Sequence, residues 1–251
     1  MDIKESIEKT KNGFEKSFEE QKFYSKQTTD QKHLNKILDI LDIKDNNTIL
    51  DLGCGTGFLS FPIAKSNEKA EIIGLDIVEE TLKRNSKKAV DDKINNIKFV
   101  SYDGIKFPFK DNSIDLIVTR YVAHHFPDID DKFKEINRVL KKGGKLFISD
   151  PMPNDNDDTR FVDEYMKMKK DGHIKFYTIN EMKEIAKSAN LKYENGFETS
   201  ITFPKKKNTA LEFEDIIKKH SKEIIEGHNV NIVQDEIYIT ERVFNLLFVK
   251  E

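Results

Sequence analysis

The sequence predicts an α/β fold, a seven-stranded and mostly parallel sheet with helices on both faces and an antiparallel last strand. Three observations carry that expectation. Short apolar runs such as "TILDL" and "IDLIVTR" alternate with amphipathic stretches of helical period, the pattern of parallel strands covered on both sides. The first apolar run opens into a glycine-rich turn, "GCGTG", that leads into a helix. Acidic residues close the next two runs, in "GLD" and "SYDG", and open α/β sheets bind ligands at the carboxyl ends of their strands.

Residues Asp2 to Gln27 read as one or two charged helices. Phe14 and Phe18 stand one turn apart there, a spacing that suits a core-packing face better than a lid. Thr29 or Asp30 can cap the next helix, whose Leu34, Ile37, Leu38 and Leu41 share one face. Thr48 to Leu52 is a buried strand, and after the glycine turn a helix runs from Phe58 to about Ser66. Pro62 is tolerable because that helix has barely begun. Glu71 to Asp76 is the second strand, "VEETLKRNSKKA" a helix, "IKFVSYD" a third strand ending at Asp103, and Ile114 to Arg120 the fourth. A helix from about Asp130 gathers Phe133, Ile136, Val139 and Leu140 on one face and should stop at Gly143-Gly144, before the fifth strand "KLFISD". Further on, Phe161, Tyr165 and Met168 mark a helix ending at Gly172. Thr178 with Glu181, and Thr209 with Glu212, form capping boxes for helices to Ala189 and about Glu226. Strands at Phe197 to Phe203 and Val243 to Val249 complete the sheet.

Composition narrows the function. The chain has 251 residues, 35% of them charged and 37% hydrophobic, with 42 basic and 45 acidic side chains mixed along its length. No basic face emerges, which disfavours nucleic acid as a partner. The single cysteine, Cys54, excludes an internal disulfide and leaves no thiol cluster for a metal. No apolar run approaches the roughly 20 residues that cross a bilayer, and Met1 to Lys22 has no apolar core like that of a signal peptide. A cytoplasmic protein without membrane insertion is the expectation.

The glycine turn then selects among ligands. Its glycines are Gly53, Gly55 and Gly57, preceded by Asp51. A dinucleotide fingerprint counted from Gly53 needs a small residue where Phe58 stands, and counting from Gly55 reaches Ser60, a weaker match. A P-loop needs a lysine that does not follow. The remaining D-x-G-x-G-x-G pattern lets backbone approach a ligand without a pyrophosphate, while Asp51 organises the loop or binds an ammonium through water. Asp76, 19 residues beyond Gly57, can accept both ribose hydroxyls, and its charge would repel a 2′-phosphate. As an alternative it only caps the following helix. Asp103 and Gly104 can meet an adenine edge with Ile77 against its face, or Asp103 is simply a turn residue.

Together "LDLGCGTG", "GLD", "SYDG", "DLIVTRYVAHHFPD" and "EINRVLKKGGKLFISD" resemble a class I S-adenosylmethionine-dependent methyltransferase with a Rossmann-like fold. More narrowly they are similar to the ubiquinone/menaquinone-methyltransferase-like group of small-molecule enzymes. The resemblance is specific from about Leu34 to Pro153. It implies S-adenosylmethionine as cofactor, S-adenosylhomocysteine as product and no metal. It also implies a cofactor site of Asp51, Gly53, Gly55, Thr56, Gly57, Asp76, Ile77, Asp103, Gly104 and Arg120, with Arg120 and Thr56 near the methionine end. A single domain follows: a helical cap at 1–33, a cofactor-binding core at 34–153, and an acceptor-side half at 154–251 with a helical insertion at 209–227. His124 and His125 follow the fourth strand near the expected methyl position, where one imidazole can serve as base and the other pack the loop. Tyr24, Tyr121, Arg160 and His173 are candidates for an acceptor pocket. The expected partner is a small-molecule acceptor, for a monomer or homodimer. Two alternatives stand beside this: a catalytically silent S-adenosylmethionine-binding regulator, and an NAD-dependent oxidoreductase.

Overall fold

The computed structural model describes residues 2–19, 30–168, 170–206, 210–233 and 236–251. In chain order its strands are β1 (Thr48–Leu52), β2 (Glu71–Asp76), β3 (Ile97–Ser101), β4 (Ile114–Arg120), β5 (Leu140–Met152), β6 (Leu191–Lys206), β7 (Asn231–Val233) and β8 (Glu236–Lys250). The helices are α1 (Ile3–Glu19), α2 (Gln31–Ile40), α3 (Ser60–Ser66), α4 (Glu79–Asp91), α5 (Ile129–Val139), α6 (Phe161–Lys167), α7 (Ile179–Ser188), α8 (Ala210–Ile217) and α9 (Lys222–Gly227).

The sheet order is β3-β2-β1-β4-β5-β8-β6, with β7 paired to β8. Strands β3 through β5 in that order are parallel, and β8 runs antiparallel to β5, β6 and β7. The chain leaves β1 for β2 and β3, then returns to β4 on the other side of β1. That reversal opens a crevice above the carboxyl ends of β1 and β4.

Alternation along β1 divides the core. Ile49 packs with α2 and α3 through Leu34, Ile37, Leu59 and Ile63. Leu50 and Leu52 face the other way and join Phe133 and Ile136 of α5 and Met182 of α7. A third cluster joins Phe161, Tyr165 and Met166 of α6 to Phe213 of α8 and to Ile237 and Ile239 of β8.

Several boundaries differ from expectation for local reasons. Helix α5 ends at Val139 rather than at the glycine pair, because Leu140 already pairs with Ile114. The register then jumps so that Lys145 meets Leu116, and Gly143 takes the positive φ of 73° that the excursion between them requires. Strand β3 ends at Ser101, two residues before Asp103. Strands β6 and β8 are about twice the expected length because they pair from Leu191↔Lys250 out to Lys206↔Glu236. Helix α6 stops at Lys167, short of Gly172, which has a φ of 83°. The insertion forms two helices rather than one, since the Ser221 hydroxyl accepts the Ile224 N–H and starts α9. Thr209 lies outside the described residues. Asp30 caps α2 by accepting the His33 N–H at 3.0 Å, and Thr29 lies outside the described residues.

Candidate functional site

A cleft of about 1250 Å³, counting its open mouth, lies over the ends of β1, β2 and β4 and extends toward β5 and β8. Its lining joins α1, the glycine turn and the ends of β2 and β4 to β8.

The glycine turn forms one wall. Gly53 and Gly55 have φ of 69° and 47°, left-handed conformations that cost other residues energy. A Cβ on Gly53 would fall 2.4 Å from Val122 Cγ2, so the turn packs against the segment after β4 with no room for a side chain. Asp76 holds the turn from the side: its Oδ2 accepts the Gly55 N–H at 2.8 Å, and its Oδ1 accepts the Val78 N–H at 3.0 Å. The carboxylate thus lines the cleft and ties the turn to the start of the next segment, while the N-cap of α4 is Val78 and not Asp76. An ionised carboxylate offers about four lone-pair sites, so these backbone donors do not exhaust it. Burial raises its pKa, partly offset by those backbone N–H donors.

Asp51 lies beneath the turn and outside the cleft lining. Its Oδ2 accepts the Ser60 hydroxyl at 2.5 Å, and burial pushes its carboxyl up to about 7. It supports the loop from below through Ser60. Gly57 is likewise not in the lining and packs against the Phe61 ring, whereas Thr56 and Ile77 do line the cleft.

Asp103 departs from expectation. It is exposed, and its Oδ1 accepts the backbone N–H groups of Ile105 and Lys106 at 2.8 and 3.0 Å. The carboxylate is a turn cap, because β3 ends two residues earlier and carries Asp103 away from the cleft. Tyr102 and Gly104 line the cleft instead. Lys132 of α5, which sequence reasoning missed, holds this loop: its Nζ donates to the carbonyls of Gly104 and Ile105 at 2.7 and 2.8 Å.

At the end of β4, the Arg120 guanidinium sits 4.3 Å from the Phe58 ring centroid and 4.0 Å from that of Tyr121. Phe58, which weakened the dinucleotide reading, thus has a positive role. Tyr121 has a φ of 60°, a strained conformation for an aromatic residue and one that often marks functional sites. The chain then makes a 3-10 turn, Ala123–His125. His124 donates its backbone N–H to Asp150 Oδ2 at 3.0 Å, and its ring Nδ1 lies 2.9 Å from Asp150 Oδ1. Asp150 is fully buried on β5, and burial pushes its carboxyl up to about 8. His125 lines the cleft beside it, with ring centroids 4.1 Å apart. Burial first, then the His124 charge, push His125 down to about 3, so it stays neutral.

The far wall comes from distant segments. Thr10 and Phe14 of α1 line the cleft, so Phe14 faces the site as well as packing edge-on to His125 at 5.1 Å. Helix α1 is held there by close backbone approach, since a Cβ on Gly172 would fall 2.1 Å from Thr10 Oγ1. Of the expected acceptor-pocket residues, Tyr121 lines the cleft. Arg160 and His173 do not, because both pair with Asp163: Arg160 Nη2 at 2.5 Å from Oδ2, and His173 Nε2 at 2.8 Å from Oδ1. Arg160 is positioned by its own left-handed φ of 61° at the start of α6, and His173 is buried behind His124. Tyr24 lies outside the described residues.

Sequence reasoning missed Glu241. It is fully buried, lines the cleft and interrupts an apolar row on β8. The signal was present as an acid at an apolar position of the alternation "IYITERV".

A family model described as "Methyltransferase domain" matches residues 43–225. The uncharacterized methyltransferase YcgJ of Bacillus subtilis is 28% identical over 163 residues, 64% of each chain. A demethylmenaquinone methyltransferase of Staphylococcus saprophyticus is 30% identical over 131 residues, 52% of each chain. The chain thus spans less than two thirds of the length of these curated relatives. The crystal structure of YcgJ superposes with a TM-score of 0.75 at 21% identity, covering 87% of this chain and 97% of that one. Phosphoethanolamine N-methyltransferase 2 of Haemonchus contortus, solved in complex with S-adenosylmethionine, gives 0.62 at 18% identity over 88% of this chain and 52% of that one.

Proposed function

The chain belongs to the methyltransferase-domain family, and from that premise we propose that it transfers the methyl group of S-adenosylmethionine to a small-molecule acceptor. The observation that carries this reading is Asp76, a buried carboxylate that ties down the glycine turn and still offers lone pairs to the cleft.

The residues present fit the cofactor. Asp76 would hold the ribose hydroxyls, Gly53 to Thr56 the chain between ribose and methionine, and Arg120 the methionine carboxylate. Ile77, Tyr102 and Gly104 form the adenine slot, with Asp103 replaced by the backbone it supports. When bound, S-adenosylmethionine supplies an electrophilic methyl carbon on a sulfonium. The protein's own work is positioning, desolvation and proton removal. Phe58 and Tyr121 fix the Arg120 guanidinium between their rings. Helix α1 excludes water from one side through Phe14. His124 is the base for an oxygen or nitrogen acceptor. Asp150 orients its ring; once Asp150 is ionised, above about pH 8, the shared proton sits on Nδ1 and Nε2 can take the acceptor's proton.

On this reading 34–153 is the donor-side core and the remainder closes the acceptor side. A cytoplasmic setting accompanies it, supported by the single cysteine and the 35% charged composition. Among the described residues no helix is long and apolar enough to cross a membrane.

Calorimetry with S-adenosylhomocysteine and with NAD tests the reading. Binding of the first alone is expected; binding of NAD without S-adenosylhomocysteine would overturn it in favour of an oxidoreductase. An acceptor screen with labelled methyl donor then separates an enzyme from a silent binder.

A further inference from the structure

Helix α5 presents a row of three charged side chains to the connection between β3 and β4. Lys132, Glu135 and Arg138 stand three residues apart and share one face. Arg138 donates to the carbonyls of Phe107 and Phe109 at 3.1 and 2.9 Å, and Glu135 accepts the Phe107 N–H at 3.1 Å. Lys132 takes the end of the same connection that borders the cleft, through the carbonyls of Gly104 and Ile105. Glu135 and Arg138 also pair with each other at 2.8 Å, whereas Lys132 gives its hydrogen bonds to backbone.

Lys132 is the costly member of the row. It is 4% exposed, and lysine is among the side chains least often buried. A buried ammonium lowers stability unless its donors are satisfied, and here the carbonyls that satisfy them belong to the cleft wall. Its Nζ also lies 5.5, 5.1 and 5.6 Å from the ring centroids of Tyr102, Phe107 and Phe126. Tyr102, Gly104 and Phe126 line the cleft, and Lys132 stands outside the lining. One charge thus holds two rings and one backbone turn of the wall from behind. That turn seats α1 as well. Gly104 has a φ of 80°, and a Cβ on it would fall 2.8 Å from Cγ2 of Ile7, another lining residue.

We propose that Lys132 is a positioning residue for the methyl donor: its ammonium fixes Tyr102 and Gly104 in the adenine slot and so sets affinity for the donor's adenosine end without touching it. This rests on the methyltransferase reading, which puts adenosine in that slot.

The charge can be removed by pH. Burial lowers the Lys132 pKa to about 8, against Glu135, Asp103, Asp128 and Asp131, which raise it. Those acids belong to α5, its cap and the loop after β3. Tyr102 beside the ammonium stays neutral, its phenol pushed up by burial first and then by Asp76 and Asp103. The ammonium is therefore present at about pH 7 and lost by about pH 9.5.

The test compares S-adenosylhomocysteine affinity in full-length wild type and in Lys132→Met by calorimetry, at about pH 7 and about pH 9.5. Wild type is expected to bind about ten-fold tighter at the lower pH, and the ratio should shrink to about three or less at the higher one. Titration of the ligand, of Asp51 and of Asp150 is common to both proteins, so the ratio responds to Lys132. A merely structural side chain would give a ratio that does not change with pH. A ratio below about two at the lower pH, or one that persists at the higher pH, overturns the proposal. If Lys132→Met fails to fold, Lys132→Gln, which keeps an N–H donor without a charge, takes its place, with the same convergence expected at high pH. Failure of S-adenosylhomocysteine to bind wild type would sink the methyltransferase reading and the proposal with it, whereas binding with a pH-independent ratio sinks the role of Lys132 alone.

Discussion

The two halves of the cleft are built in different ways. The donor half is made of short stretches at strand ends: Gly53 to Thr56, Asp76 with Ile77, and Tyr102 with Gly104. Much of what it presents is backbone, held open by positive φ angles and tied by Asp76 to Gly55. The acceptor half draws side chains from α1, the 3-10 turn, α6, the 171–176 segment and β8, so residues as distant as Thr10 and Glu241 share a wall. Backbone recognition at neighbouring strand ends tolerates little sequence change, whereas a wall assembled from scattered side chains can be altered one residue at a time. The comparison explains why the donor is legible from motifs and the acceptor is not.

Three experiments would sharpen or break it. The largest effect should fall on chemistry at the border of the halves. His124→Ala is expected to lower kcat by roughly 10²–10⁴-fold, the usual range for a general base, with S-adenosylhomocysteine affinity nearly unchanged. Full turnover in that variant, measured at saturating cofactor once an acceptor is in hand, would remove His124 from proton transfer.

The next effect separates two acids that look alike in sequence. Asp76→Ala should weaken S-adenosylhomocysteine by about 30-fold or more, because it deletes a buried charged hydrogen-bonding partner worth about 2–5 kcal/mol. Asp103→Asn, which keeps a turn-capping oxygen, should change the same affinity by less than about three-fold. Calorimetry on both variants checks the pair, and equal losses would return Asp103 to the adenine site.

The smallest effect concerns the support beneath the donor loop. The folded-state pKa of Asp51 is raised to about 7, chiefly by burial, against an ordinary value of 3.8. Between those values the folded state binds more protons than the unfolded one. Its contribution to stability is therefore full below about pH 4 and is lost as pH rises toward 7. Denaturant unfolding should show wild type losing on the order of 1–3 kcal/mol relative to Asp51→Asn across that window. A pH-independent difference would mean that Asp51 titrates normally.

Legibility followed the same division. The glycine turn, Asp76 and the order of strands and helices through Asp150 could be read directly, since strand alternation, helical period and turn chemistry act over a few residues. Phe58 and Arg120 both stand out in the sequence, but their stacking does not, because it depends on how the turn before α3 packs over the end of β4. Arg160 and His173 carry plausible chemistry, yet Asp163 captures both, and that acid stands inside α6, ten positions before His173. Asp150 read as a strand end, and only the 3-10 turn brings His124 onto it.

By itself the sequence determined the α/β class, the glycine turn and the acid that would hold a ribose, because each depends on contacts among near neighbours in the chain. Tertiary structure alone decided that Asp103 turns away while Tyr102 stays, that Phe14 faces the cleft, and that Glu241 lies buried in its wall. Those outcomes depend on where β3 stops, where α1 docks and where β5 leaves β8 unpaired. Such places are set by packing among segments as far apart in the chain as Thr10 and Glu241, which no local pattern records.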